Sequence, residues 1–527
     1  MKEPQPPSRS WRYLVLVGAV MIQLILGTVY GYSIFWEPLT AEVFPPVVTK
    51  QQKAALEQEG KLAENAIVVE DEAAAKKQRA IHQGYLKYAF SICILAFAVT
   101  MVFAGRVQDL KGPRFPAIVG AALLGGGFLA AGLMKSAIVF HLAHAAFVGA
   151  IALLLLLLLH ALTRDLDPES YPVARYAPLG VLAAVIVAGA AIGSEYVGRQ
   201  GPWDKLLLLW GTVGLLAGAG IGFAYVCPIA ALVKWFPEHK GLVSGLAVAG
   251  FGFGAYLFSK EYGALGYIRA HGIVPFFTVH GLVCLVVIIV GALLLRNPPE
   301  AAPATAAKAV QSGESTWQET LRKPAFYLLW LMFFSGAMAG LMVIGILKVF
   351  AGEQLVSAAL QGGGALSDAA RQELMLKGAA AVGWLAIFNA VGRVVWGFVS
   401  DRIGRTSAFI AMFLFQAVTM FTLGAMKSEL TIAVAASVVG FNFGGNFALF
   451  PSATADLFGA KNLGANYGWV FTSYGIAGVV GIAAGNAAKV ATGSYVAAFA
   501  LSGVLCVLSA GMALILHRMR APQSAAA

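Results

Sequence analysis

Charge is what this sequence lacks. Asp, Glu, Lys and Arg make up 12% of its 527 residues, against about 25% in a soluble globular chain. Hydrophobic residues make up 59%. The deficit argues against a soluble protein and for a polytopic membrane protein, all-α in class. Cysteine is scarce as well. Cys93, Cys227, Cys284 and Cys506 each lie alone in an apolar run with no C-x-x-C, so neither a disulfide framework nor a cysteine zinc site is expected. A removable leader is not expected either. Lys2, Arg9 and Arg12 precede an apolar run through Phe35, which is too long for a signal-peptide core and reads as a first membrane helix. The net charge of +11 does not call for nucleic acid, because cytoplasmic loops of membrane proteins collect Lys and Arg.

Runs of about 20 apolar residues are long enough to span a bilayer. They fall at 12–35, 86–104, 115–134, 138–161, 177–197, 205–233, 242–259, 274–295, 325–349, 379–399, 406–426, 430–450, 466–487 and 493–516. That is about fourteen membrane helices. With the N-terminus inside, the inner segments hold Arg106, Lys111, Arg114, Lys234, Lys240, Arg402, Arg405 and Arg518, while outer turns such as Met426 to Leu430 hold few. The pattern is positive-inside. It predicts a cell inner (plasma) membrane protein with both termini cytoplasmic.

Two stretches repeat. GRVQDLKGPR carries Gly105, Asp109, Gly112 and Arg114, and GFVSDRIGR carries Gly397, Asp401, Gly404 and Arg405. Each follows an apolar helix in a short inner loop. A looser repeat places Gly241 and Gly245 after Pro228, and Gly464 and Gly468 after Pro451, at the same spacings of 13 and 17. Asp109 to Asp401 is 292 positions and Pro228 to Pro451 is 223, so about 69 extra residues lie between Asp109 and Pro228. The segment 135–204 fits that length and holds two apolar runs. Without this inserted hairpin, two similar six-helix halves remain. Such duplication is typical of transporters, with the substrate site at midplane between the halves. The predicted organisation is an N-terminal half over 1–296, containing an outer insert at 37–84 and the hairpin 135–204. A cytoplasmic linker covers 297–323, and a C-terminal half covers 324–527.

The paired G-x-x-x-D-x-x-G loops resemble the loop motif of the major facilitator superfamily. The stretches YVCPIAALVKWFPEHKGLVSGLAVAGFGFG (Tyr225 to Gly254) and NFALFPSATADLFGAKNLGANYG (Asn446 to Gly468) resemble the oxalate/formate antiporter family, relatives of the monocarboxylate transporters. The resemblance covers the chain apart from 135–204 and 37–84. It implies a major-facilitator fold and a carrier that works by alternating access, not an enzyme, with no cofactor and no catalytic or metal-binding residues.

One charge stands out. Arg393 sits in the apolar span 379–399, eight residues before Asp401, or about 12 Å up the helix axis. Asn389 is one turn further in on the same face. A charge at that depth faces a partner or a wet cavity. It either snorkels towards Asp401 or recognises substrate, since Arg forks onto a carboxylate and stays charged in an apolar site. The resemblance implies the second, because an arginine in this helix binds the substrate carboxylate in that family, and N-x-x-x-R matches monocarboxylate carriers. Amphipathic side chains are expected around it: Tyr30 and Tyr32, Tyr225, the run Phe441 to Asn446, and Tyr474. The predicted binding set is Arg393, Asn389, Tyr32, Tyr225, Asn446 and Tyr474. The gating set is Gly105, Asp109, Gly112, Arg114, Gly397, Asp401, Gly404 and Arg405. Asp109 and Asp401 are expected to hold the inner gate shut against loop arginines and helix ends.

A second absence bears on the substrate. Oxalate carriers of the resembled family place a lysine in the eleventh core helix. Here Tyr467 to Gly485 contains no Lys or Arg, and Lys489 lies beyond the predicted span. One fixed cation balances one carboxylate. A monocarboxylate such as lactate, pyruvate, formate or acetate is therefore favoured over oxalate, and oxalate/formate antiport is the alternative. Position 389 holds an Asn, which cannot titrate, so proton symport and anion exchange both stay open. The expected partners are a small carboxylate anion, with or without a proton, and the lipid bilayer. The carrier is expected to be a monomer. A reading of another class is a membrane-integral metal- or haem-binding component using His141, His144 and His160. Two His three apart without a further ligand favour packing roles instead. The outer insert, rich in Ala, Glu, Lys and Gln, is expected to form one or two helices or a mobile cap.

Overall fold

The computed structural model describes residues 11–146, 201–258, 260–299, 314–361 and 366–520, together with isolated residues between 147 and 200. Helix dominates because backbone N–H and C=O groups have no water to bond in hydrocarbon and must pair within their own segment. Among the described residues twelve helices are long and apolar enough to cross a membrane.

The first six spans begin with α1 (Trp11–Leu26), which tightens into a 3-10 run over Gly27–Phe35. A small cap follows: α2 (Trp36–Val43), β1 (Val47–Thr49), α3 (Lys50–Gln58) and β2 (Ile67–Val69). β1 and β2 pair in parallel, with Val48 opposite Val68. This strand pair comes in addition to the expected one or two helices or mobile cap, because VVT and IVV are β-branched runs inside a helix-forming composition. The next spans are α4 (Glu72–Lys111) and α5 (Arg114–Ala131). The short apolar helix α6 covers Ala137–Ala146. Most of the expected hairpin, including His160, lies outside the described residues. α7 (Pro202–Leu209) runs through a π turn at Trp210–Leu216 into α8 (Ala217–Trp235). α9 (Lys240–Phe258), the short α10 (Ala264–His271) and α11 (Ile273–Leu294) complete this set.

The short α12 (Trp317–Arg322) leads into the second six: α13 (Pro324–Gln361), α14 (Asp368–Ile403), α15 (Arg405–Leu423), α16 (Glu429–Phe458), α17 (Leu463–Thr492) and α18 (Val496–Arg520). α12 opens on a capping box in which Glu319 accepts the backbone N–H of Thr316 at 2.8 Å. That bond, with the Thr316 side chain next, holds the Glu319 carboxyl below the usual range.

Two spans start earlier than hydropathy indicates. α4 begins at Glu72, with Asp71 accepting the N–H of Ala74 at 2.7 Å. α14 begins at Asp368, with the Ser367 hydroxyl accepting from Ala370 at 3.2 Å. Side-chain caps of this kind let a helix continue into polar sequence beyond the apolar window. α4 also carries the cap. Arg79 donates to the carbonyl of Val47 at 3.1 Å, and His82 stacks on Phe44 with ring centroids 4.1 Å apart.

The loop motifs close their helices in the same way. Gly112 ends α4 at φ 79° and Gly404 ends α14 at φ 85°. Only glycine enters that region without strain, which explains the second glycine of each motif.

Candidate functional site

The two halves meet in two reciprocal crossings. α4 of the first half lies against α17 of the second, and α14 of the second lies against α9 of the first. Glycines make both possible. A Cβ on Gly105 would run into the carbonyl of Gly464, and one on Gly397 into that of Gly241. Further in, a Cβ on Gly468 would meet the Met101 carbonyl at 2.7 Å, and one on Gly245 would collide with the Arg393 carbonyl. The glycines repeated after Pro228 and Pro451 are thus the points where helices of opposite halves touch.

A carboxylate closes each crossing. Asp109 accepts the backbone N–H groups of Gly464 (3.2 Å) and Ala465 (2.7 Å) at the start of α17. Asp401 accepts those of Gly241 (2.9 Å) and Leu242 (2.8 Å) at the start of α9. Both place a negative charge on the orphan donors and positive dipole end of a helix in the other half. The side-chain partners differ. Lys234 lies 3.6 Å from Asp109. Arg405 reaches Asp401 at 2.7 Å and Asp456 at 3.0 Å, and Asp456 also binds Lys240 at 2.8 Å. Arg114 takes no part in this network. Its Nε donates to the carbonyl of Leu295 at 2.7 Å, tying α5 to the end of α11.

Arg393 lies deeper in the same crossing and is fully buried. Its Nε donates to Asn389 Oδ1 at 3.1 Å, and its Nη1 donates to the carbonyl of Val248 on α9 at 2.8 Å. The guanidinium faces the rings of Phe447 at 4.4 Å and Phe251 at 5.5 Å. Nη2 is buried as well, and the Tyr30 hydroxyl comes within interaction distance of the guanidinium. Snorkelling towards Asp401 is therefore overturned, because the guanidinium is engaged at its own depth in the bundle.

Four tyrosines lie within electrostatic reach of this cation: Tyr30, Tyr225, Tyr467 and Tyr474. Tyr30 and Tyr474 share a 2.8 Å hydrogen bond between hydroxyls, one from each half. The hydroxyls of Tyr225 and Tyr467 are buried and lie against each other, again one from each half. Phe97, Phe251 and Phe471 pack their rings against Tyr225. The result is a buried, aromatic-walled region between the halves that holds, among the described residues, one cation and several convergent hydroxyls. Opened to form a chamber, such a region suits a small anion with a modest apolar body.

Of the expected binding residues, the structure gathers Arg393, Asn389, Tyr225 and Tyr474. Tyr32 is turned away and packs inside the first half on Phe35, Phe90 and Phe128. Asn446 is buried, but its Nδ2 donates to carbonyls of its own helix at Asn442 and Phe443, and its Oδ1 faces Gly336 on α13. Sequence reasoning missed Tyr467. It lies seven residues before Tyr474 with Phe471 between, a spacing that puts all three on one helical face. It also missed the Val248 carbonyl, which has no sequence signal, and the ion-pair partners Lys234 and Asp456. His144 Nε2 lies 2.6 Å from the carbonyl of Gly189, and no group of three metal-ligating side chains occurs among the described residues.

Comparison with known proteins supplies the family. The model of the Major Facilitator Superfamily matches residues 175–371 and 368–527. The oxalate:formate antiporter of Oxalobacter formigenes is 30% identical over 373 residues, covering 65% of this chain and 82% of that protein. Apicoplast pyruvate carrier 1 of Toxoplasma gondii is 28% identical over 362 residues, covering 56% of this chain and 64% of the carrier. Among solved structures, the Major Facilitator Superfamily transporter FucP aligns with a TM-score of 0.53 at 12% identity, over 95% of this chain and 99% of that one. The chain therefore belongs to the Major Facilitator Superfamily, as a multi-pass membrane transporter whose relatives include an oxalate:formate antiporter.

Proposed function

We propose that this transporter carries small monocarboxylates, of the size of formate, acetate, pyruvate or lactate, by alternating access with proton symport or anion exchange. The observation that carries the reading is Arg393: a fully buried cation at the meeting of the halves, with no carboxylate among its hydrogen-bond partners in the described residues. A carboxylate is the group that fits. It accepts from a guanidinium edge with two oxygens, and the pairing is strongest where water is excluded. The tyrosine hydroxyls supply further donors. The names of two relatives, an oxalate:formate antiporter and a pyruvate carrier, fit the same chemistry.

The substrate has one carboxylate because the chamber has one cation. Within α17 the nearest other cation is Lys489, and it is held by Glu353 at 2.6 Å. Oxalate would bring a second charge with nothing to balance it. The alternative, oxalate/formate antiport, is favoured by the 30% identical relative.

In this reading the halves 1–296 and 324–527 rock about the chamber, with 297–323 as linker. Asp109 and Asp401 pin the cytoplasmic end, and the inner (plasma) membrane is the host. The test is uptake of labelled formate, acetate, pyruvate, lactate and oxalate into proteoliposomes, with and without a pH gradient. A monocarboxylate should be taken up, and Arg393→Ala should abolish it. Normal transport by Arg393→Ala would remove the site, and oxalate as sole substrate would remove the single-cation argument. Stoichiometric metal or haem in the purified protein would favour the histidine-based reading instead.

A further inference from the structure

The protein itself supplies Arg393 with partners from both sides of the interface. Asn389 Oδ1 and the Phe447 ring belong to the second half. The Val248 carbonyl and the Phe251 ring belong to the first. Among the described residues the hydrogen-bond and ring partners of the guanidinium include no Asp, Glu or His. Its charge is met by backbone and amide dipoles and by aromatic faces, with four tyrosine hydroxyls nearby.

This arrangement bears on the return stroke of the carrier. Closing a low-dielectric chamber around an unpartnered cation is strongly unfavourable. A carrier without stand-ins for its cargo is therefore confined to exchange, because it closes only when loaded. Here a helix carbonyl, an amide oxygen and two ring faces act on the cation in the closed arrangement. The Val248 bond also crosses between the halves. It forms on the same α9–α14 contact that Asp401 seals at the end of the bundle.

We infer that this carrier completes its cycle with no anion on the return leg, so that it performs net transfer and not obligatory exchange. The inference rests on the carboxylate reading above and chooses between the coupling modes that reading leaves open. Asn389 and Phe447 are then positioning residues for the unloaded return as well as parts of the chamber.

The experiment compares initial uptake of labelled formate, acetate, pyruvate and lactate, each in turn, into two sets of proteoliposomes. One set contains potassium chloride alone, and the other also contains the same unlabelled anion at saturating concentration. Equal potassium on both sides with valinomycin clamps the potential. The expected result is uptake into the anion-free set within about tenfold of the exchange rate, a barrier difference of one charge-assisted hydrogen bond. Asn389→Leu and Phe447→Leu should each lower the ratio of anion-free to exchange uptake by about tenfold, since each removes one stand-in. The melting temperature of each variant in detergent reports whether it has folded. Exchange with no uptake above protein-free background in the anion-free set overturns the inference, as does an unchanged ratio in both variants. If none of the four anions moves in either set, the carboxylate reading fails and takes this inference with it.

Discussion

Asp401 and Gly241 stand on opposite halves of the molecule, and the carboxylate of one accepts the backbone N–H of the other at 2.9 Å. Asp109 and Gly464 repeat the relationship with the halves exchanged. Each half thus gives one carboxylate and receives one at a helix start.

The two contacts are not equal, and their variants should differ. A carboxylate at a helix N-terminus contributes about 0.3–1 kcal/mol, and up to about 2 when partly buried. Asp401→Asn leaves Arg405 paired with Asp456, whereas Asp109→Asn takes from Lys234 the carboxylate it faces. Asp109→Asn should therefore populate the separated form of this end more. Spin labels on Lys111→Cys and Lys461→Cys, both exposed, measure it. A larger long-distance fraction in Asp401→Asn would contradict the assignment of partners.

Arg393→Met should separate function from stability. Replacing a buried ionic group by an apolar one of similar size is often neutral or stabilising. Uptake should fall to background while the melting temperature in detergent holds or rises. A clear drop in melting temperature with transport retained would make Arg393 a structural residue.

Gly464→Ala should act on the gate and Gly126→Ala should not. The new methyl at 464 meets the Gly105 carbonyl at 2.5 Å, while one at 126 meets nothing within 4 Å. Gly126→Ala gains helix propensity, by up to about 1 kcal/mol, and should raise the melting temperature. Gly464→Ala should move the Lys111–Lys461 label distance outwards. An unchanged distance distribution would mean that the crossing tolerates the methyl.

Tyr30→Phe and Tyr474→Phe each remove one hydroxyl bond and keep both rings. A neutral hydrogen bond contributes about 0.5–1.5 kcal/mol, so half-saturation should rise by about tenfold at most. The double variant should be worse than either single one, because each hydroxyl is a separate donor to the substrate and Tyr30 also meets Arg393. A double variant no worse than the single ones would reduce the two hydroxyls to their shared bond.

Much of this arrangement can be read before any coordinates. Arg393 announces itself as a charge in an apolar run, and the twin loops announce the duplication. The offset of 69 between the two repeats points to inserted sequence, and twelve spans among the described residues fit the six-plus-six pattern. Other features are hidden for physical reasons. Tyr30 and Tyr32 lie two residues apart on a 3-10 run, so they face different ways, and periodicity does not say which of them faces the partner half. The Val248 carbonyl belongs to a backbone that looks alike at every residue. The ribbon of the cap comes from two three-residue runs, too short to show as a pattern. The early start of α4 depends on Asp71 as a cap, a signal that a hydropathy window averages away.

That early start makes α4 a rod. Forty residues of helix reach about 60 Å, about twice the hydrocarbon thickness of a bilayer. One end is fixed to the cap through Arg79 and His82. The other end carries Asp109 and the seal on α17. The cap contacts and the Asp109 seal are therefore the two ends of one continuous helix, so any tilt of that helix displaces both together.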